Sequence, residues 1–227
     1  MRLRPKRLSH KPRAICPRAS AFLAPLGPAA DLNQALETQA YQAILERRPA
    51  QIISRLKEIL AKPDPALGYI NGRLRFWLGW AQHIAGDHAA AQESWRQARS
   101  ELESFLKEQP DNSSLLGDLA LTNMNLGDKA TALALSERGI AALPVEKDVV
   151  SGAGPIETLA RVAAQTGEPD RAISALQQVL SIPGTGALDK FMPLTPALLR
   201  LDPMFDSLRN DPRFQKLAST APDTADK

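Results

Sequence analysis

Three short patterns, evenly spaced, constrain the folding of this 227-residue chain more than any other feature. Gly86-Asp87 precedes Ala91, Gly127-Asp128 precedes Ala132, and Gly167-Glu168 precedes Ala172, each with three residues between acid and alanine. The glycines lie 41 and 40 residues apart, and each is flanked by apolar stretches of helical period. Recurrence at a fixed period signals an array of like units, none of which buries its apolar face alone. Glycine enters left-handed backbone without steric cost and so ends a helix. An acid just after it favours the exposed N–H groups that open the next helix. A small residue five positions past the glycine lets the two helices approach closely. Each unit therefore reads as a pair of antiparallel helices.

Composition agrees with an all-α chain. Hydrophobic residues make up 44%, charged residues 23% and aromatics only 5%. Alanine and leucine dominate, and runs of Val, Ile, Tyr and Thr are rare, which favours helix over sheet. Cys16 is the only cysteine, so neither an internal disulfide nor a thiol metal cluster is expected. That usage fits a reducing compartment, and a cytoplasmic location is expected. No stretch has the roughly 18 apolar residues that a membrane span needs.

The net charge of +3 is unevenly distributed. Seven basic residues (Arg2, Arg4, Lys6, Arg7, Lys11, Arg13 and Arg18) fall in the first 18 positions, and the first acid is Asp31. Without them 21 basic residues face 25 acidic ones, so the remaining body is slightly acidic. Residues 1–32 read first as a solvated, disordered arm. An organellar transit peptide, or non-specific contact with nucleic acid or an anionic membrane, is the alternative. Arg18 and the prolines break any apolar secretory core. No specific nucleic-acid binding is expected of the body.

Further helices follow from local chemistry. Runs near 33–47 and 49–62 form a weaker first pair without the glycine signal, with Ile52, Ile53, Leu56, Ile59 and Leu60 on one face. Residues 88–107 lack Pro and Gly, and Ala91, Trp95, Ala98, Leu102 and Phe105 recur at helical spacing. That long helix is expected to overhang the next pair and so explain the spacing. Near the end, Thr195-Pro196, Asp202-Pro203 and Asp211-Pro212 each place a capping residue before a first-turn proline. Short helices near 196–200, 203–209 and 212–219 should cover the last unit with Leu198, Leu199, Phe205, Leu208, Phe214 and Leu217.

Together these residues resemble the tetratricopeptide repeat (TPR). In 72–106 the matching residues are Leu78-Gly79, Gly86, Ala91, Trp95 and Ala98. In 113–144 they are Leu116, Leu119, Ala120, Gly127, Ala132, Gly139 and Pro144, with Ser136 where a large apolar residue is usual. In 153–183 they are Ile156, Leu159, Ala160, Gly167, Ala172, Leu176 and Val179. Each unit is longer than the minimal repeat of about 34 residues, and Gln82, Asn123 and Ala163 replace the usual late aromatic. The closing segment LLRLDPMFDSLRNDPRFQKL is similar to the end of bacterial TPR regions that follow a kinase, adenylate cyclase or winged-helix domain. The resemblance implies a right-handed solenoid of about four helix pairs over 33–183, capping helices over 184–220 and a frayed tail at 221–227. Only about 32 residues precede the first helix, too few for such a domain. The expectation is a stand-alone member or the C-terminal part of a split gene.

No catalytic arrangement emerges from the sequence, so no enzyme activity, cofactor or metal is expected. His83 and His88 are read as flanking the Gly86 turn without a shared face, and Glu101, Glu103 and Asp118 as a solvated face. Gly184-Thr185-Gly186 lacks the third glycine and the preceding strand of a dinucleotide site, and reads as a loop. Trp95 is assigned to the core. The groove that the resemblance implies would be lined by Arg73, Phe76, Trp80, His83, Leu121, Met124, Arg161 and Gln165, apolar at one end and polar at the other. A peptide or partner protein is the expected ligand. The alternative is a regulatory or sensory piece of a signalling enzyme or transcription regulator.

Overall fold

The computed structural model describes residues 29–219, and side chains from residue 34 onward. Residues 1–28 of the basic arm and residues 220–227 lie outside the described residues. Among those described, every regular element is helical. Four helix pairs follow in order: α1 (Ala29–Leu45) with α2 (Ala50–Leu60), α3 (Ile70–Ile84) with α4 (His88–Glu108), α5 (Ser113–Leu126) with α6 (Lys129–Ala142), and α7 (Ala153–Thr166) with α8 (Pro169–Leu180). The chain closes with α9 (Pro196–Leu201), a 3-10 turn (Pro203–Leu208) and α10 (Pro212–Ser219). No described helix is long and apolar enough to cross a membrane.

The repeated pattern does locally what its chemistry demands. Gly86, Gly127 and Gly167 have φ of 86°, 87° and 84°, in the left-handed region. The Asp87 and Asp128 carboxylates accept the N–H groups of Ala90 and Thr131 at 3.1 and 3.2 Å. Glu168 makes no such side-chain cap, and Pro169 opens α8 instead. Ala91, Ala132 and Ala172 are fully buried. In the first pair Arg47 takes the turn with φ of 57°, a conformation that costs a non-glycine residue about 1–2 kcal/mol.

The two long intervals between glycines have different origins. In the first, α4 runs for 21 residues, and its upper turns pack back on the start of α3. There Leu102 faces Gly72, and Phe105 meets Tyr69 edge-on at 6.4 Å. In the second, α6 and α7 have 14 residues each, and the extra length is the connection 143–152. A long second helix therefore accounts for only one of the two intervals.

The helices form three layers. The middle layer is α3, α5 and α7, and α4, α6 and α8 cover one side of it. On the other side lie α1, packed against α3, and the 3-10 turn 203–208, packed against α7. Middle-layer helices are consequently buried nearly all round, α3 and α7 most of all. Apolar side chains gather in two clusters, one built mainly on α1 to α6 and reaching Val162, Leu188 and Met204, the other on α7 to α10. At the end of the chain Thr195, Asp202 and Asp211 cap the N–H groups of Leu198, Met204 and Arg213. Phe205 and Phe214 meet at 6.0 Å between ring centres.

Candidate functional site

Residues assigned to an open groove mostly lie beneath the third layer. Trp80 is only 3% exposed, because Tyr41 of α1 covers it at 6.0 Å and Trp77 stacks on it at 5.5 Å. Phe76 packs beside both tryptophans, and Met124 is buried in the same core. The correction has a plain cause: three large aromatics on α3 leave more apolar surface than α4 covers, and α1 buries the rest. At the other end the Gln165 amide donates to the Met204 carbonyl at 2.6 Å. His83 remains exposed at the end of α3. Only Arg73 and Leu121 border an open cavity.

Arg161 is the hub of one buried ionic network and is 1% exposed. Its guanidinium donates to Glu157 Oε1 from Nε at 2.9 Å and from Nη2 at 2.7 Å, and to Asp202 Oδ2 from Nη1. The Tyr41 hydroxyl donates to Asp202 Oδ2 at 2.6 Å and accepts from Arg161 Nη2 at 3.1 Å. Burial alone would lower the Arg161 pKa, but Asp202, Tyr41 and Glu157 outweigh it and hold the guanidinium protonated, its pKa above the ordinary value. The guanidinium also stands 5.1 Å from the Phe205 ring centre. Thus α1, α7 and the closing segment are tied at one point.

Arg73 is the hub of a second network. Its Nε forms an ion pair with Glu37 at 3.1 Å and its Nη1 a longer one with Asp118 at 3.8 Å, while Nη2 donates to the Leu188 carbonyl at 3.0 Å. Asp189, also buried, accepts from Gln34, Thr38 and the Phe191 N–H. Asp118 does not belong to a solvated face: it is 6% exposed, and its Oδ2 has no hydrogen-bond partner. Burial raises its pKa against the opposing charge of Arg73. A carboxylate hidden among Leu115, Leu116, Leu119 and Ala120 was the signal available in the sequence.

Beside this network lies a cavity of about 240 Å³, bounded by α3, α5, α7 and the loop 184–190. Arg73, Asp118 and Lys190 bring both signs of charge to its wall, and Ser113, Thr158 and Gly117 complete that side. The loop is held by the Ala187 N–H, which donates to Glu157 Oε2 at 3.0 Å, and by the Leu188 carbonyl. At Gly186 a Cβ would stand 2.3 Å from the Asp189 and Met192 carbonyls, so the glycine of the Gly-Thr-Gly loop serves tight backbone packing.

The buried acids make stability depend on pH. Burial lifts the Glu37 pKa from 4.5 to about 7, although Arg73 opposes it. The folded protein therefore holds a proton that the unfolded chain has lost between these values, and stability should fall as pH rises from about 4.5 to 7. Asp118 is shifted in the same sense. Glu37→Gln should flatten this slope in thermal melts across the same range, and an unchanged slope would refute the assignment.

Across the Gly86 turn the two histidines do meet, contrary to the sequence reading: their Nδ1 atoms are 3.2 Å apart and the ring centres 4.8 Å apart. Asp87 caps α4, whose first residue, His88, lies across the turn beside His83. No third His, Cys, Asp or Glu joins them or any other metal-sized group among the described residues. Comparison with known proteins leaves the chain without a match: no family model, curated protein or solved structure matches it.

Proposed function

We propose that the chain is a non-catalytic, TPR-like scaffold that binds a protein or peptide partner through its middle layer. The observation that supports this reading most is the side-by-side stacking of three glycine-terminated helix pairs, with their first helices forming one layer. Because α1 and the closing segment cover much of that layer, the accessible part is the cavity between α5, α7 and the loop 184–190. It suits a partner's side chain or chain end better than a whole docked helix.

A cavity-filling variant tests the reading. A Cβ at Gly117 would meet Thr158 at 3.4 Å, an ordinary contact, so Gly117→Leu should fold and project into the cavity. Affinity capture from the native host should then recover a partner with wild-type protein and lose it with the variant. Capture of the same proteins by both would count against a cavity-borne partner. A second reading, a regulatory piece acting with a separate catalytic or DNA-binding domain, is favoured by the closing segment, whose Asp202 anchors the Arg161 network.

A further inference from the structure

We propose that the cavity between α5, α7 and the loop 184–190 binds a small zwitterion of the free amino acid class. This goes beyond the scaffold reading and stands without it. Four observations converge. The cavity is large enough, at about 240 Å³, for several non-hydrogen atoms. Asp118 lines it while more than nine-tenths buried, and Oδ2 lacks a partner. A buried carboxylate oxygen without a donor is costly, and a ligand ammonium would remove that cost.

The third observation is the placement of positive charge. Arg73 is committed to Glu37 and to the Leu188 carbonyl and reaches Asp118 Oδ1 only at 3.8 Å, leaving Asp118 Oδ2 unpartnered. Lys190 also lines the cavity and lies within electrostatic reach of Asp118 and Glu37, yet it forms no ion pair among the described residues. Its ammonium is placed to receive a carboxylate, while Asp118 receives an amine. Charges of both signs on one wall complement a ligand that carries both. The Ser113 and Thr158 side chains add polar lining.

The fourth is Gly117. Glycine inside a helix is less favourable than alanine, and the backbone around this one does not need it: φ is not left-handed and nothing lies closer than 3.4 Å to a Cβ there. What the missing side chain preserves is space in the cavity. In the absence of a ligand, alanine would serve α5 better.

Calorimetric titration of the full chain with a panel of free amino acids, with n-butylamine and butyrate as single-charge controls, tests the proposal. At least one amino acid should bind, with either control weaker by roughly tenfold or more. Asp118→Asn and Lys190→Met should each weaken binding by a similar factor, and Gly117→Leu should abolish it while the melting temperature holds. Lys190 is exposed, so its variant keeps the test decisive if the buried one fails to fold. Binding of butylamine as tight as of any amino acid, no binding at all, or equal affinity in Lys190→Met would each overturn the proposal. Partner capture is read separately, so the scaffold reading survives or fails on its own result.

Discussion

Arg161→Met should destabilise the protein by about 3–5 kcal/mol, the range for removing one partner of a buried ion pair. Methionine fills similar volume, so the loss is electrostatic rather than a cavity. Glu157 Oε1 would lose both its guanidinium donors, and Asp202 Oδ2 would keep only the Tyr41 hydroxyl. Both carboxylates are buried too deeply for water to replace the cation. Urea melts should show the midpoint falling with an unchanged slope. Adding Glu157→Gln and Asp202→Asn to the same chain should recover much of the loss, because the uncompensated charges are then gone. Asparagine also keeps a side-chain oxygen to cap the Met204 N–H, as Asp202 does at 2.9 Å. A single variant within about 1 kcal/mol of wild type would show that the network carries little net stability.

Trp95→Ala should cost about 3–5 kcal/mol, and Trp80→Ala a comparable amount. Trp95 is 2% exposed and lies on the bare backbone of Gly79, where a Cβ would come within 2.5 Å of the indole nitrogen. That nitrogen donates to the Phe76 carbonyl at 3.3 Å, so truncation loses a hydrogen bond and opens a void between α3 and α4. Trp80 sits on the opposite side of α3 among Trp77, Phe76 and Tyr41. Its removal should loosen α1, which an open-groove position would not do. Denaturant melts of the two variants separate the cases: a nearly neutral Trp80→Ala would mean that α1 leaves α3 uncovered in solution.

The parts of this fold that were legible in the sequence are those fixed by neighbouring residues. Left-handed glycines, the Asp87 and Asp128 caps and the Asp-Pro starts of the closing helices depend on a few adjacent positions. Ala91 and Trp95 were legible because one helical turn separates them on a shared face. The candidate site was not, because its making is long-range. Asp118 looks like a surface acid until Arg73, Glu37 and the loop 184–190 are brought to it. Trp80 and Arg161 occupy positions that face outward in a bare stack, and only the return of α1 and the closing segment buries them. Charged residues in otherwise apolar first helices, Glu157 and Arg161 four positions apart among them, were the clue to that cover.

That cover also joins the two ends of the stack. Gln34 and Thr38 bond to Asp189, Tyr41 to Asp202 and Arg47 to Asp206, pairs 151 to 161 residues apart. In an open row of repeats each unit touches only its neighbours, so folding starts anywhere and the terminal units fray first. Here the terminal elements hold each other, and neither frays without exposing the charges of the other. Ordering so long an intervening stretch before these contacts form is entropically costly, which slows folding relative to a row built from local contacts alone. The described chain should therefore unfold as one cooperative body, its first helix and the 3-10 turn lost together.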